Sequence, residues 1–307
     1  MELSGSPKKR SRASIWLQAA RPFSFTASMV PVLFGAAYAF YRNTQIRWEL
    51  LAPVAIASLL IHAATNLINE YCDYKKGVDR PDTFGGSRVL VDRLLTPKEV
   101  LIAGLLCFAA TAAIGLLFVW LRGWLILALG TVGLLSGFFY SAMPVGYKYL
   151  GLGDLMVFIL MGPLMVIGSF FVLTGVWLWQ AVFVSLPIGS LVAAILSANN
   201  LRDIPHDAEA KIKTTARLLG LKWAKKEYAA LIISAYIFTV MLIILMQLPW
   251  WSLGVFLTLP PATKNIRTAM QFDGTDPRQI ATLDVQTAQL HLTFGILLIL
   301  SVILGKF

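Results

Sequence analysis

Apolar runs of about 20 residues recur along the chain, each long enough to carry a helix across the roughly 30 Å hydrocarbon core of a bilayer. In hydrocarbon every backbone amide needs an internal partner, which leaves helices and closed barrels as the only spanning structures. The ten-residue alternation of a barrel is absent, so the runs predict an all-α membrane protein. Charge content agrees. Only 14% of residues are charged, against roughly a quarter in a soluble domain, and mean hydropathy is +0.71.

Nine spans are expected, near residues 16–40, 50–70, 99–120, 124–143, 153–174, 180–200, 228–247, 250–264 and 286–305. The eighth is short and carries Pro260 and Pro261. The third has a start signal in Thr96-Pro97-Lys98-Glu99, with a capping hydroxyl, a proline at the first helical position and a glutamate at the third. Basic residues lie in the gaps between runs rather than in a tract, so the net charge of +10 speaks for topology and against nucleic-acid binding. The 201–227 gap holds seven Lys/Arg and the 71–98 gap six, whereas the loops on the other side hold only Arg42, Arg47 and Arg122. This asymmetry puts the N-terminus and both large polar loops on the cytoplasmic side, and the C-terminus opposite. The opening "SPKKRSR" and the run after it resemble a signal peptide, but the run is too long and contains Arg21, so a retained first helix is expected. Residues 1–14 read as a basic tail and 15–307 as one transmembrane domain in the plasma membrane of a prokaryote. Cys72 and Cys107 imply no disulfide framework.

Two polar clusters break the apolar pattern. In the first, His62, Asn66, Asn69, Glu70 and Asp73 recur at intervals of three and four, so they share a helix face. Lys76-Gly77 then lets the chain turn and bring Asp79 back toward that face. In the second, Asn199, Asp203 and Asp207 are spaced by four, Pro205 bends or ends the helix, and Lys211, Lys213 and Arg217 follow. Both clusters fall on the same side of the membrane. Oxygen-only ligand sets suit hard cations such as Mg²⁺, which is held by one or two carboxylates plus substrate phosphates. Paired acidic clusters with bases alongside therefore point to a metal-bound diphosphate. Intramembrane carboxylates also mark transporters and channels. Transporters place them near the midplane on broken helices in repeated halves, whereas these lie at helix ends and no inverted repeat is evident.

At these residues the chain resembles the UbiA superfamily of intramembrane aromatic prenyltransferases. The first motif is carried by Asn66, Asn69, Glu70, Tyr71, Asp73, Gly77 and Asp79, and the second by Asn199, Asn200, Arg202, Asp203 and Asp207. "FYSAMPVGYKYLGLGDL" (139–155) and "ARPFSFTAS" in the first span are similar to family stretches as well. Two departures stand out. Glu70 occupies a place where most relatives have Asp, and Lys211-Ile212 follow the second motif where relatives usually show Gly-Lys.

The resemblance implies a bundle of nine helices around a central cavity open to the cytoplasm. It also implies Mg²⁺ as cofactor, with a polyprenyl diphosphate and an aromatic acceptor as partners. Within the superfamily it is strongest to the branch that prenylates 1,4-dihydroxy-2-naphthoate with loss of CO₂. Another quinone precursor, a chlorophyllide-like ring or a lipid alcohol are the alternative acceptors, and a member that only binds a quinone or prenyl lipid is a further alternative. Metal ligands are then expected from Asn69, Glu70, Asp73 and Asp79 on one side, and from Asn199, Asp203 and Asp207 on the other. Asp73, Asp203, Asn66 and Arg21 are the expected catalytic residues. Arg21, Lys148, Tyr140, Arg88, Arg202, Lys211 and Lys213 are the candidates for substrate contacts. His62 is expected to be a satisfied core histidine rather than a base.

Overall fold

The computed structural model describes residues 10–81, 83 and 86–307; the first nine residues of the expected 1–14 tail lie outside the described residues. Fourteen α-helices follow one another among the described residues: α1 Arg12–Ala20, α2 Thr26–Tyr41, α3 Leu51–Lys76, α4 Pro97–Arg122, α5 Trp124–Phe139, α6 Gly153–Ile159, α7 Met165–Thr174, α8 Trp179–Val184, α9 Leu186–Arg202, α10 Ile204–Glu209, α11 Thr215–Leu219, α12 Leu221–Ile244, α13 Leu259–Gln271 and α14 Leu283–Leu304. A π-helical turn, Leu160–Leu164, contains Pro163 and joins α6 to α7 into one run. Short 3-10 turns likewise extend α2, α3, α13 and α14 at their starts.

Among the described residues, seven of these continuous runs are long and apolar enough to cross a membrane: Pro22–Tyr41, Trp48–Lys76, Pro97–Arg122, Gly153–Thr174, Trp179–Arg202, Leu221–Ile244 and Pro277–Leu304. The other two expected spans are helical but fall short of that description. Helix α5 is apolar but has 16 residues. The eighth span begins as a 3-10 segment, Trp250–Thr258, and continues into the polar-faced α13. The first run also starts later than expected. Arg12–Ala20 is a separate helix, and Arg21 breaks the chain by adopting φ +56°.

Local chemistry accounts for the boundaries. Thr96 Oγ1 accepts from the Glu99 N–H while the Glu99 side chain accepts from the Thr96 N–H, closing a capping box at the start of α4. Gly77 ends α3 at φ +69°, in the left-handed region that glycine adopts without a Cβ penalty.

Packing joins α3 to α4 along their length and gathers α2, α7, α9, α12 and α14 around a common core. That core is filled by Phe34, Tyr38, Phe170, Leu191, Tyr228 and Phe294, among others, all nearly inaccessible. By contrast, Trp120 and Trp124 on the α4–α5 corner are 82% and 76% exposed, as interfacial aromatics are. A smaller cluster of Ala19, Leu67, Val89, Leu90, Leu95 and Val100 seats the α3–α4 connection against α1. Lipid offers no hydrophobic drive for helix association, so buried polar pairs such as Tyr228–Thr287 (2.7 Å) and Ser252–Ser301 (2.9 Å) help to fix the bundle.

Candidate functional site

The C-terminal half of α3, the loops before α4 and α6, and the end of α9 enclose a cavity of about 580 Å³. One end of it is polar and is walled by Asn69, Asp73, Asp79, Lys148, Asp203 and Asp207. The other end reaches Val54, Phe118, Ile126 and Val172 at the far ends of their helices, so the wall becomes mostly apolar, with Ser58, Thr111, Thr131 and Ser169 as its hydroxyls. The cavity therefore joins a charged mouth to a hydrocarbon-like shaft.

Helical spacing delivers the first cluster. Asp73 Oδ2 accepts from Lys148 Nζ at 2.5 Å, and its Oδ1 from the Tyr149 hydroxyl at 2.8 Å. Asn69 Oδ1 accepts from Ser141 Oγ at 2.7 Å and also from Lys148 Nζ. The αL turn at Gly77 returns the chain so that the Asp79 N–H reaches the Asp73 carbonyl at 3.4 Å. Asp79 Oδ2 is buried without a partner. Burial first, then the charges of Asp73 and Glu70, pushes its carboxyl up to about 7 despite Arg21 and Lys148. Asn66 turns the other way, donating to the Ala20 carbonyl at 2.9 Å, and so ties α3 to the end of α1 while lining the cavity.

The second cluster is braced by one arginine. Arg202 grips both oxygens of Asp203 at 2.8 and 2.9 Å, reaches Asp284 Oδ2 at 2.9 Å, and donates to Asn199 Oδ1. It is itself buried and absent from the cavity wall, so it acts behind the acids rather than in the space between them. Asp207 Oδ2 accepts from Thr214 Oγ1 at 2.9 Å. Burial, then the nearby Asp203, pushes Asp207 up to about 7.

The fold thus brings Arg21, Asn66, Asn69, Asp73, Asp79, Tyr140, Lys148, Asn199, Asp203 and Asp207 to one cavity. It leaves others out. Glu70 is fully buried against Arg21 and Ser87, off the wall. Arg88 caps its own loop, donating to the Pro81 and Thr83 carbonyls and to Asp92. Lys211 and Lys213 are exposed, and Lys213 pairs through its backbone with Leu150. Arg217, with a donor on the Ile212 carbonyl and another contact to the Asp207 carbonyl at 3.3 Å, holds that loop instead. His62 is satisfied by Ser24 Oγ at 3.0 Å and Ser28 Oγ at 2.6 Å, although it also lines the cavity.

Sequence reading missed Tyr149, Ser141, Thr214 and Asp284. Tyr149 was legible in principle, as the neighbour of a lysine expected to face the site. Asp284 offered no motif spacing, lying 77 residues beyond Asp207 and eight beyond Asp276.

Residues 28–286 match the UbiA prenyltransferase family. The chain is 33% identical over 302 residues to the 1,4-dihydroxy-2-naphthoate octaprenyltransferase of Bacillus subtilis (strain 168), covering 98% of this chain and 96% of that one. Its fold is similar to that of a UbiA homolog from Aeropyrum pernix K1, with a TM-score of 0.69 and 16% identity over 94% of this chain and 98% of that one. It is similar also to a UbiA homolog from Archaeoglobus fulgidus solved with GPP and Mg²⁺, with a TM-score of 0.61 and 17% identity over 93% and 99% of the two chains. On both sequence and fold, the chain belongs to the UbiA prenyltransferase family.

Proposed function

We propose that the chain transfers a polyprenyl group from its diphosphate to 1,4-dihydroxy-2-naphthoate at the mouth of this cavity, with Mg²⁺ as cofactor. The observation that carries the reading is the junction of two acidic clusters and Lys148 with an apolar shaft in one continuous space. The relative from Bacillus subtilis supports the acceptor, and the GPP and Mg²⁺ bound by the Archaeoglobus homolog support the donor and the metal. We further assign nine spans, one domain over 15–307, a cytoplasmic cavity mouth and a plasma-membrane setting, which the distribution of Lys and Arg favours.

The donor set fits the metal. Among the described residues no three carboxylate, imidazole or thiol side chains form a closed metal cage. Mg²⁺ needs none, because phosphate oxygens and waters complete its shell. The partnerless buried Oδ2 of Asp79, with Asn69, Asp73, Asn199, Asp203 and Asp207 around the same space, would hold the metal through oxygen. When bound, the metal neutralises charge on the diphosphate and makes it a better leaving group.

The chain's own residues do the rest. Lys148, resting on Asp73 and Asn69, can turn to a diphosphate oxygen, and Arg21 offers a second cation on the same cavity wall. Tyr149 and Arg202 hold Asp73 and Asp203 in position while the charges shift. The allylic C–O bond breaks with its electron pair going to diphosphate. The ring carbon bearing the carboxylate forms the new C–C bond, and CO₂ departs, returning its electron pair to the ring. The apolar shaft houses the isoprenoid chain and keeps water from the cationic carbon. Tyr140 lines the cavity with its ring 5.7 Å from Lys148 Nζ, beside the mouth where the cationic carbon would form.

Replacing Asp73 or Asp203 by Ala tests the assignment. Turnover is expected to fall by about a thousandfold or more, in line with loss of a principal electrostatic group, while the purified variants keep a wild-type helical spectrum. Retained activity in either variant refutes the site.

A further inference from the structure

We propose that Glu70 is a positioning residue that fixes Arg21 and the 86–88 turn at the cavity mouth, and is not a ligand of the metal. The inference rests on the metal–diphosphate reading above and deepens it. Glu70 belongs by sequence to the middle of the first acidic cluster, yet its side chain leaves that cluster. Asn66, Asn69 and Asp73 line the cavity, whereas Glu70 is fully buried and contributes nothing to the wall. One oxygen, Oε2, accepts from Arg21 Nη2 at 2.8 Å and from the Ser87 N–H at 2.8 Å, while Oε1 is buried without a partner but off the cavity wall, unlike Asp79 Oδ2, whose residue lines it.

Both donors belong to segments that do reach the cavity, since Arg21 and Gly86 line it. Three parts of the chain therefore meet at one carboxylate oxygen: α3, the α1–α2 junction and the α3–α4 connection. The junction needs a fixed point. Arg21 holds a left-handed backbone at φ +56°, which side chains rarely adopt, and its Nε is buried without a partner. The turn is tied down from a second direction by Gln18 Nε2, which donates to the Ser87 carbonyl at 2.7 Å. Val89 and Leu90 pack below it on Ala19 and Leu67.

The turn in turn sets Asp79, because a Cβ on Gly86 would stand 2.6 Å from Asp79 Oδ2. Glutamate provides the reach to both donors. An aspartate would be shorter by one C–C bond, about 1.5 Å. The length of Glu70 is thus accounted for by its ion pair with Arg21 and its bond from Ser87 rather than by metal binding.

Mn²⁺ titration of the purified full-length chain, followed by electron paramagnetic resonance with inorganic diphosphate present, separates the two roles without needing turnover. Glu70→Gln and Glu70→Asp are expected to bind Mn²⁺ within about twofold of wild type, whereas Asp73→Asn weakens it by about tenfold or more. Glu70→Asp keeps the charge and decides the matter if Glu70→Gln does not accumulate as folded protein. In the transfer assay, Arg21→Gln and Glu70→Gln each raise KM for the prenyl diphosphate by about tenfold, with the Mg²⁺ requirement unchanged. The double variant is no worse than Arg21→Gln alone, since partners acting as a unit are not additive. Mn²⁺ loss in the Glu70 variants equal to that of Asp73→Asn overturns the proposal, as do KM effects that multiply. If wild type shows the expected Mn²⁺ pattern but prenylates no aromatic, the transfer reading falls and the assignment of Glu70 stands.

Discussion

Lys148 and Asp73 are directly coupled at the cavity mouth. The ammonium bridges Asp73 and Asn69, and Tyr149 completes the carboxylate from the other side. Removing the cation should hurt donor binding more than it hurts the fold, because Ser141 still donates to Asn69 Oδ1 and Tyr149 still holds Asp73 through Oδ1, leaving only Oδ2 without its partner. Lys148→Met is expected to raise KM for the prenyl diphosphate by about ten- to a hundredfold, the worth of one charge-assisted contact, measured by initial rates over a donor titration. Tyr149→Phe removes one hydrogen bond to Asp73 and should cost only several-fold in kcat/KM, about 1 kcal/mol. At this scale the sequence was informative wherever a helix set the spacing. Asn69 and Asp73, four apart, do face one cavity, as do Asn199, Asp203 and Asp207. It was uninformative where a long side chain chose its own direction. Glu70 lies on the same face as its neighbours but extends sideways to Arg21, and Arg202 folds back onto Asp203 and Asp284. The spacing of Cβ atoms fixes a face, while the partners that side chains find depend on segments far away in the chain.

Elements show the same division. Helix starts and stops marked by backbone chemistry were legible: the capping box at Thr96 and the glycine stop at Gly77 both form. Thr96→Ala removes the cap 23 residues from Asp73 in sequence. It should lower stability by about 1 kcal/mol and leave KM for both substrates unchanged, with thermal unfolding in detergent as the check. A loss of activity at unchanged stability would show that α4 positions the site more directly than its contacts indicate. The break at Arg21 was not legible. Nothing in "AARPFSF" announces that a non-glycine residue will take a left-handed conformation there, because the stabilising partner, Glu70, lies 49 residues away. The eighth span, short and proline-bearing in the sequence, is not one long apolar helix, and the reason is visible. Its first half is a 3-10 segment, and its second half, α13, carries polar residues on one face.

For the whole molecule, hydropathy set the class and charge asymmetry set the proposed orientation, because both are summed over many residues and survive local irregularities. The orientation has a direct check. Cysteines introduced at Lys211 and at Asn43 should be labelled by a membrane-impermeant reagent from opposite faces, Lys211→Cys only in inverted vesicles and Asn43→Cys only in right-side-out ones. Labelling of both from one face would invert the assignment of the cavity mouth. Prenyl transfer in a cavity with two acidic rims and an apolar shaft is the function proposed for the whole molecule. It is tested most directly by supplying the purified chain in lipid with a polyprenyl diphosphate, Mg²⁺ and 1,4-dihydroxy-2-naphthoate and identifying the products by mass spectrometry. A prenylated ring lacking the carboxylate is expected, with diphosphate and CO₂ released one for one, and no product once the metal is chelated. Absence of a prenylated product from any aromatic acceptor, with donor and metal present, would contradict it.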